Sequence, residues 1–307
     1  AAFRVQQVLA WQDLWASKGI FGFRRDSGTE DAFWQTALEI ERSLLTGENL
    51  LGFSLDFSKA FDRVPVHIVL QIGERAGLPE GLLRALRGMY SQLQRRFRIG
   101  RGVGTPFQST NGIMQGCPLS VVLLNLLMQV WVSLIEAECP EVRAKSYADD
   151  TSGLTTRVAS IRQALELTQE FCSLTGMRLN LKKSNLWSTT PQGRESLKHI
   201  VIDGLQPNIV SSERYLGAQL VFSRRSAAHK DVKARWDQAE KACERIQYAP
   251  VSLEVKAQLI ESVVIPKILF DSPVCPTSKD TMRHWRAKIC KSIWGDSCKL
   301  RCQEQVF

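Results

Sequence analysis

The stretch Tyr147-Ala148-Asp149-Asp150, read together with Leu55-Asp56-Phe57-Ser58-Lys59-Ala60-Phe61-Asp62 upstream of it, decides the fold. Adjacent ionised carboxylates repel each other, and an apolar core rejects them unless a cation balances their charge. Residues 144–156 are typical of a strand, a tight turn and a second strand, so they predict a hairpin that displays two carboxylates at its tip. For an acidic pair that stands alone, a surface turn is the alternative.

Residues 50–56 predict a short buried strand that ends on Asp56. Two strands of one sheet that end at the same edge would bring Asp56 and Asp149 within reach of shared divalent ions. Carboxylate oxygens favour Mg²⁺ or Mn²⁺ over zinc. Two such ions, held roughly 3.5–4 Å apart, clamp the attacking and leaving oxygens of an in-line phosphoryl displacement. This is the chemistry of polymerases and nucleases.

Six segments follow one another in the chain. They are Phe21-Gly22-Phe23-Arg24-Arg25 with Gly28-Thr29-Glu30-Asp31-Ala32 (fingers block), residues 55–64 (motif A), 112–120 (motif B), 147–150 (motif C), 175–184 (motif D) and 214–217 (motif E). Together they make the chain resemble a reverse transcriptase of the non-LTR (LINE-like) retrotransposons over residues 20–220. The resemblance implies an α+β, right-hand polymerase fold with an antiparallel-sheet palm, partial fingers and a helical thumb.

The same resemblance implies an RNA-directed DNA polymerase that adds deoxynucleotides to a primer 3′-hydroxyl with two Mg²⁺ ions, Mn²⁺ being the alternative. Asp56, Asp149 and Asp150 would hold the ions, and Lys183 would be the acid that protonates the leaving pyrophosphate, although the adjacent Lys182 stays open for that role. Phe61 matches the steric gate that excludes a 2′-hydroxyl. The implied deoxynucleotide-binding residues are Phe57, Ser58, Lys59, Ala60, Phe61, Gln115, Gly116, Arg24 and Arg25, and the implied primer grip is Tyr215, Leu216 and Gly217.

Within this set, the backbone N–H groups of residues 58–61, at the start of a helix, are predicted to receive the triphosphate. Gly112 and Gly116 would allow close approach of the backbone. Asp62 is predicted to form a local cap or ion pair rather than to bind metal. For Arg24 and Arg25, phosphate binding and a surface role are both open.

The predicted domains are partial fingers at residues 1–50, palm at 51–65, further fingers at 66–111, palm again at 112–222 and a basic helical thumb at 223–307. Hydrophobic periodicity and helix-ending residues place the helices. The predicted helices lie at about residues 29–46, 119–136, 158–175, 227–247, 252–269 and 279–294, with Pro250, Pro266, Pro273 and Pro276 as punctuation or kinks.

A chain of 307 residues with 44% hydrophobic content can bury a large core in more than one domain. The net charge is +9, and residues 223–307 hold 16 Lys and Arg against 10 Asp and Glu. This excess is what a thumb needs to follow a nucleic-acid backbone. Arg95, Arg96, Arg98 and Arg101 alternate with Phe97 and Ile99 at strand period, which fits either template contact or a hairpin edge protected by charge.

No apolar run is expected to span a bilayer and no signal pattern opens the chain, so an intracellular protein of the nucleus or cytoplasm is predicted, with no membrane partner. The eight cysteines are expected to be reduced. A zinc site at Cys290, Cys298 and Cys302 with His284 is disfavoured, since no Cys-x2-Cys pair is present.

The chain opens at Ala1 inside a helix-like pattern, so we expect a piece of a larger polyprotein, in which the resemblance implies an endonuclease domain. The expected partners are an RNA template, a DNA primer and deoxynucleotides. A catalytically impaired or domesticated RNA-binding scaffold is the alternative function: the upstream fingers strand of the family is absent here, whereas all three carboxylates are present. An RNA-dependent RNA polymerase is disfavoured by Phe61 and by Ala148 before Asp149.

Overall fold

The computed structural model describes residues 2–202, 204–223, 228–270, 272 and 277–295. The chain divides into two compact units, Ala1–Ser212 and Glu213–Phe307, each with its own hydrophobic cluster. This division lies upstream of the predicted start of the thumb at residue 223. The hairpin of motif E therefore belongs to the second unit.

The first unit combines helices with short strands. Its helices are α1 (Ala2–Trp15), α2 (Thr29–Thr46), α3 (Ala60–Arg63), α4 (Val66–Arg75), α5 (Glu80–Ser91), α6 (Pro118–Glu138), α7 (Val158–Thr175) and α8 (Pro191–Leu197). Its strands are β1 (Leu51–Asp56), β2 (Gln94–Arg95), β3 (Arg98–Ile99), β4 (Gly102–Val103), β5 (Phe107–Gln108), β6 (Arg143–Tyr147), β7 (Asp150–Thr155), β8 (Asn185–Ser188) and β9 (Asn208–Val210). The predicted helices at residues 29–46 and 158–175 and the predicted strand that ends at Asp56 are confirmed.

A five-stranded sheet with the strand order β6-β7-β1-β8-β9 forms the centre of this unit. Neighbouring strands are antiparallel except β8 and β9, which are parallel. Side chains of a strand alternate between the two faces of a sheet. Leu51, Phe53 and Leu55 point to one face, where each is at most 3% exposed. Asp56 consequently belongs to the opposite face.

Helices α6 and α7 cover the apolar face. Phe57, which follows β1, packs edge to face on Phe171 of α7, with ring centroids 6.2 Å apart. Trp131 of α6 donates from Nε1 to Oγ1 of Thr168 in α7 over 3.0 Å, which satisfies the polar atom of a fully buried indole. The two helices thus support β1 from behind and leave its polar face open to other contacts.

Helix α6 is long and apolar enough to cross a membrane by length and composition alone, so the expectation that no apolar run reaches that limit was wrong. Six of its side chains, however, are fully buried in the core: Leu124, Leu127, Met128, Trp131, Val132 and Ile135. A helix that is hydrophobic on all sides is either enclosed by protein or by lipid. Enclosure by protein accounts for the composition of α6.

Helix α2 lies against part of the polar face. Lys145 of β6 is paired in register with Ser152, and it donates from Nζ to Oγ1 of Thr36 over 3.1 Å. Arg143 forms an ion pair with Glu39. Burial, together with the charge of Arg143, lowers the pKa of Lys145 to about 8. No pattern in the sequence of this strand predicts a buried lysine.

An extended segment before α2 closes the β6 edge of the sheet. Ile20 forms a parallel bridge with Ser146. The amide of Phe21 donates to the Ser146 carbonyl over 2.9 Å, and the amide of Ser146 donates to the Gly19 carbonyl over 2.8 Å. The predicted fingers block therefore lies beside the strand that leads into the acidic turn.

Residues 94–108, the basic hairpin, form two tiers in which β2 pairs with β5 and β3 pairs with β4. The strand period predicted for its arginines holds for Arg95 and Arg98 only, since Arg96 lies between β2 and β3 and Arg101 lies in the turn between β3 and β4. Arg95 holds the base of this hairpin: one guanidinium nitrogen donates to the Gly112 carbonyl over 3.2 Å, and another lies 4.0 Å from a carboxylate oxygen of Asp62. Asp62 thus has an ion-pair partner, but this partner is distant in sequence and not local as predicted.

The second unit contains a two-stranded hairpin and a group of helices. Its elements are β10 (Ser212–Tyr215), β11 (Ala218–Val221), α9 (Ala228–Gln247), α10 (Leu253–Leu259), α11 (Ile265–Leu269) and α12 (Lys279–Trp294). A π-helical turn at Ile260–Val264 joins α10 to α11, directly before Pro266. Proline lacks the N–H that a regular helix needs, so this turn and the predicted kink coincide.

The core of the second unit centres on Trp236 and Trp285, whose rings stack with centroids 5.3 Å apart. Cys290 is buried in the same unit, while Cys298 and Cys302 of the disfavoured zinc site, as well as Pro273 and Pro276, lie outside the described residues. The helices predicted at 252–269 and 279–294 are confirmed, with the π-helical turn as an unpredicted interruption.

Candidate active site

The structure brings the three predicted carboxylates together. Asp56 ends β1 and is the direct partner of Asp150, the first residue of β7. Tyr147 pairs with the same Asp150 across the β6–β7 hairpin, so Ala148 and Asp149 are the two residues of the turn. Directly opposed side chains of antiparallel strands lie on one face with Cβ atoms roughly 5 Å apart. Asp56 and Asp150 are therefore neighbours, and Asp149 stands beside them.

The electrostatics of this cluster are those of a site that lacks positive charge. Burial raises the pKa of Asp149, and the charge of Asp56 raises it further. Burial and repulsion from Asp149 and Asp56 raise the pKa of Asp150 from 3.8 to about 6. Part of Asp150 remains exposed to solvent, and screening by solvent reduces the size of this effect.

Lys183 is the basic residue that offsets this repulsion. Its charge lowers the pKa of both Asp149 and Asp150. The carbonyl of Lys182 instead accepts a hydrogen bond from the side chain of Asn208 at 3.0 Å. The sequence left open whether Lys182 or Lys183 is the candidate acid. The electrostatic effect of Lys183 on the carboxylates favours Lys183.

Motif D reaches the carboxylates because it pairs with the end of β1. The amide of Asn180 donates to the Asp56 carbonyl over 2.7 Å, and Phe57 forms an antiparallel bridge with Leu179. The buried hydroxyl of Ser184 accepts from the Asp56 amide at 3.4 Å and donates to the Asn180 carbonyl over 3.0 Å. Ser184 was missed as a positioning residue, since a serine beside two lysines gives no sign of burial.

The turn itself has an unusual backbone. Ala148 has φ 55°, in the left-handed region that L-residues avoid. Two-residue hairpin turns need positive φ at one or both central residues, and glycine usually supplies it. Gly22 packs against this turn: a Cβ there would lie 2.6 Å from the Ala148 nitrogen. The glycine of the fingers block thus permits direct contact with the acidic turn.

The residues predicted to receive the triphosphate are only partly arranged as expected. Helix α3 has four residues, and Lys59 before it is left-handed with φ 52°. The amide of Ser58 donates to the Arg178 carbonyl over 2.7 Å, so it is not available to a phosphate in this conformation. Phe57 and Ala60 are buried in the core, which limits any role of theirs to backbone atoms.

Phe61 and motif B lie side by side. The carbonyl of Phe61 accepts from the Ile113 amide at 2.7 Å, and Phe61 is half-buried against the core. Gly112, with φ 94°, meets the backbone of Asp62, where a Cβ would lie 2.8 Å from the carbonyl oxygen. Gln115 and Gly116 are exposed, and Gly116 has φ 81°. Their predicted contact with a nucleotide stays a prediction.

The contacts of Arg24 lie within the protein and indicate a structural role rather than phosphate binding. Its guanidinium donates to the carbonyls of Ser17 at 2.8 Å and Ile20 at 3.2 Å, and it lies 3.6 Å from Asp13. Arg24 therefore braces the segment that closes the sheet edge. Arg25 is exposed, and its predicted phosphate contact stays a prediction.

The predicted primer grip forms the turn between β10 and β11 in the second unit. Leu216 and Gly217 both have positive φ, 49° and 95°, as a type I′ hairpin turn requires. Tyr215 is buried. A Cβ on Gly217 would lie 2.6 Å from the ring of Phe270, whose carbonyl accepts from Arg235 at 2.7 Å. The turn is thus fixed by the end of α11.

Comparison with known proteins agrees with this geometry. A family model described as reverse transcriptase (RNA-dependent DNA polymerase) matches residues 4–220. A Pol polyprotein of the type-1 retrotransposable element R2 from Popillia japonica is 25% identical over 243 residues, which are 74% of this chain and 39% of that protein. The Pol polyprotein of the element R2DM from Drosophila melanogaster is 23% identical over 70% of this chain and 21% of its own length. The chain thus spans well under half of these relatives.

Among solved structures, apo telomerase from Candida tropicalis superposes with a TM-score of 0.51 at 11% identity, covering 94% of this chain and 54% of that one. Telomerase from the same organism, in complex with a fragment of telomeric RNA, gives a TM-score of 0.50 at 12% identity over 98% of this chain and 55% of that one. At this level of identity the similarity concerns the fold alone. It confirms the predicted α+β polymerase fold.

Proposed function

The chain belongs to the reverse transcriptase (RNA-dependent DNA polymerase) family, as its resemblance to non-LTR retrotransposon proteins predicts, and from this premise we propose that it extends a DNA primer on an RNA template. The direct pairing of Asp56 with Asp150, with Asp149 in the adjoining turn, carries the proposal. Three carboxylates from two distant stretches of sequence meet on the polar face of one sheet. Such a cluster is unfavourable unless it binds cations.

The carboxylates suit divalent ions by their chemistry. In the part of the chain that the structure describes, no group of three or more His, Cys, Asp and Glu side chains is already arranged to hold a metal ion. Burial and the neighbouring carboxylates raise the pKa of Asp149 and of Asp150, so a bound cation would stabilise their charged forms. Asp56 and Asp150 are paired across β1 and β7, and Asp149 lies in the adjoining turn, so these three side chains would supply the ligands.

We assign Asp56, Asp149 and Asp150 as the residues that would hold two Mg²⁺ ions, with Mn²⁺ as the alternative. When bound, such ions stabilise the charge on the attacking and leaving oxygens of phosphoryl transfer. Lys183 lies close enough to affect both aspartates, and in this proposal it would donate a proton to the leaving pyrophosphate. Phe61 is half-buried and its backbone contacts Ile113; in this proposal its ring would lie against the sugar and exclude a 2′-hydroxyl.

The other expected partners follow from the same proposal. Gln115 and Gly116, both exposed, would face the nascent base pair, and Tyr215, Leu216 and Gly217 would position the primer end. The relatives are larger Pol polyproteins, so we place this chain in such a polyprotein, acting inside the cell in the nucleus or cytoplasm.

Primer extension on poly(rA) with an oligo(dT) primer, in Mg²⁺ and in Mn²⁺, tests the proposal. Asp149→Asn should reduce incorporation to background. Lys183→Ala should slow it by on the order of a hundredfold, as expected for loss of a general acid. Lys182→Ala is the matched control, because it removes the adjacent lysine and leaves in place the one that affects the aspartates, and it should stay within about twofold.

Two results would contradict the proposal. One is equal incorporation by the wild-type protein and Asp149→Asn. The other is a wild-type protein that binds RNA equally well with and without Mg²⁺ and incorporates nothing, which would identify a scaffold. Thermal unfolding of each variant shows whether a loss of incorporation reflects a loss of fold.

A further inference from the structure

The basic hairpin carries an exposed aromatic pair that the proposed nucleotidyl transfer does not use. Phe97 and Phe107 stack with ring centroids 5.0 Å apart and an interplanar angle of 20°. Phe97 is 69% exposed and Phe107 is 39% exposed. Ile99 and Val103 are also exposed, but they lie in the separate β3–β4 tier of the hairpin. Two exposed aromatic rings in contact form the kind of apolar surface that marks an interaction site.

The charged side chains of the hairpin itself are all positive, and Arg95 at its base lies 4.0 Å from a carboxylate oxygen of Asp62. The sequence has no Asp or Glu between Glu80 and Glu136, whereas it has six arginines in that interval. Arg96, Arg98 and Arg101 are exposed on the basic hairpin itself. A partner that fits this surface must therefore be anionic and must also offer flat apolar faces.

We propose that the basic hairpin binds single-stranded RNA, with bases stacked on Phe97 and Phe107 and phosphates bound by the arginines. Unpaired bases combine flat apolar faces with an anionic backbone, and aromatic rings in a basic groove are a recurrent means of binding them. A duplex does not meet the same requirement, because its base faces are already stacked on each other. The choice of RNA over DNA rests on the proposed function, in which RNA is the template.

The base of the hairpin is connected to the candidate nucleotide site. Phe107 is the cross-strand partner of Arg95, and Arg95 donates to the Gly112 carbonyl. The amide of Gly112 donates in turn to the Val64 carbonyl over 2.9 Å. The next residue, Ile113, donates from its amide to the Phe61 carbonyl. RNA held on the aromatic pair would therefore be attached to the segment that carries the steric gate.

The test is equilibrium binding of the full chain to a short single-stranded RNA that contains 2-aminopurine, in EDTA, so that polymerase activity is not required. Phe97→Leu with Phe107→Leu keeps the apolar character and removes both rings. Because stacking of a base on an aromatic ring contributes about 1–3 kcal/mol, we expect roughly tenfold weaker binding or more, with loss of 2-aminopurine quenching. Val103→Ala, on the same hairpin and 60% exposed, is the matched control. Its cross-strand partner is Arg98 rather than either phenylalanine, so its RNA affinity should stay within about twofold of the wild type.

The arginines have a separate readout. Arg96→Gln with Arg101→Gln should reduce the slope of log affinity against log salt by about 0.7 for each phosphate that is no longer neutralised. The proposal is overturned if the leucine variant binds RNA as the wild type does, or if DNA of the same length or duplex RNA binds more tightly than single-stranded RNA. If the leucine variant loses self-association in sedimentation while its RNA affinity stays unchanged, the proposal is likewise overturned, and the hairpin is a protein interface.

These outcomes are distinct from failure of the proposed function. If the protein extends primers normally and the leucine variant binds RNA as tightly as the wild type, only the assignment of the hairpin as an RNA-binding site is refuted. Incorporation that does not depend on Asp149, together with RNA binding that depends on Phe97 and Phe107, refutes the polymerase assignment alone.

Discussion

Asp150→Asn should stabilise the cation-free protein at neutral pH, although Asp150 is part of the proposed catalytic centre. Burial and two neighbouring carboxylates raise its pKa from 3.8 to about 6. Between these values the folded protein binds more protons than the unfolded chain, so stability falls as the pH rises through this window. Below the window the carboxyl group is protonated in both states and contributes no penalty. Above it the full penalty applies.

The size of the effect follows from the shift. From 3.8 to about 6, at about 1.36 kcal/mol per pKa unit, the penalty would reach roughly 3 kcal/mol. Asp150 is solvent-exposed, and screening by solvent reduces this to about 1 kcal/mol. For a unit of this size, 1 kcal/mol corresponds to a rise of about 2–4 °C in the midpoint of thermal unfolding. Asparagine keeps the shape of the side chain and removes the charge.

Thermal unfolding of the full chain in EDTA, at about pH 7.5 and about pH 4.5, measures this difference. The gain should be present at the higher pH and largely disappear at the lower one. Mg²⁺ should stabilise the wild type and remove the advantage of the variant, because an ion that binds only the folded state stabilises it. Glu166→Gln, which removes an exposed carboxylate of α7, is the control and should show no gain. The reasoning is refuted if Asp150→Asn is no more stable than the wild type at about pH 7.5, or if its gain in thermal stability is the same at both pH values.

Two backbone positions give further predictions. Ala148→Gly should raise the free energy of unfolding by about 0.5–1 kcal/mol, because glycine adopts the observed φ of 55° without strain; a lower denaturation midpoint in urea would contradict this. Gly217→Ala should destabilise the β10–β11 turn by about 1–3 kcal/mol, because its Cβ would lie 2.6 Å from the ring of Phe270 at a φ of 95°. Hydrogen exchange of peptides that cover residues 212–221 measures the second effect, and unchanged exchange would show that the ring moves aside freely.

Local sequence patterns were sufficient to predict the elements that hold the carboxylates. The acidic turn follows from alternating residues on either side of Ala148 and Asp149, and the bounds of α2 and α7 follow from helical periodicity that ends at Gly47 and Gly176. These features depend on interactions between residues close in sequence. They therefore remain visible when nothing is known of the tertiary structure.

Contacts between distant segments could not be predicted in this way. Lys145 is charged and lies in a strand, and only the packing of α2 explains its burial against Thr36. Ser184 and Gly22 have no local pattern that reveals their contacts with Asp56 and Ala148. The sequence left Arg24 open between phosphate binding and a surface role, and neither alternative anticipates its carbonyl partners, because these depend on a turn that closes only in the folded chain.

The pairing of residues 19–21 with β6 has a consequence for any shortened form of this protein. An exposed edge strand offers unpaired N–H and C=O groups to other molecules and promotes aggregation. Ile20, with its neighbours, occupies those groups at Ser146. Removing the chain up to Gly22 would uncover that strand, so such a truncation should precipitate or form intermolecular sheets even though it retains every carboxylate of the site.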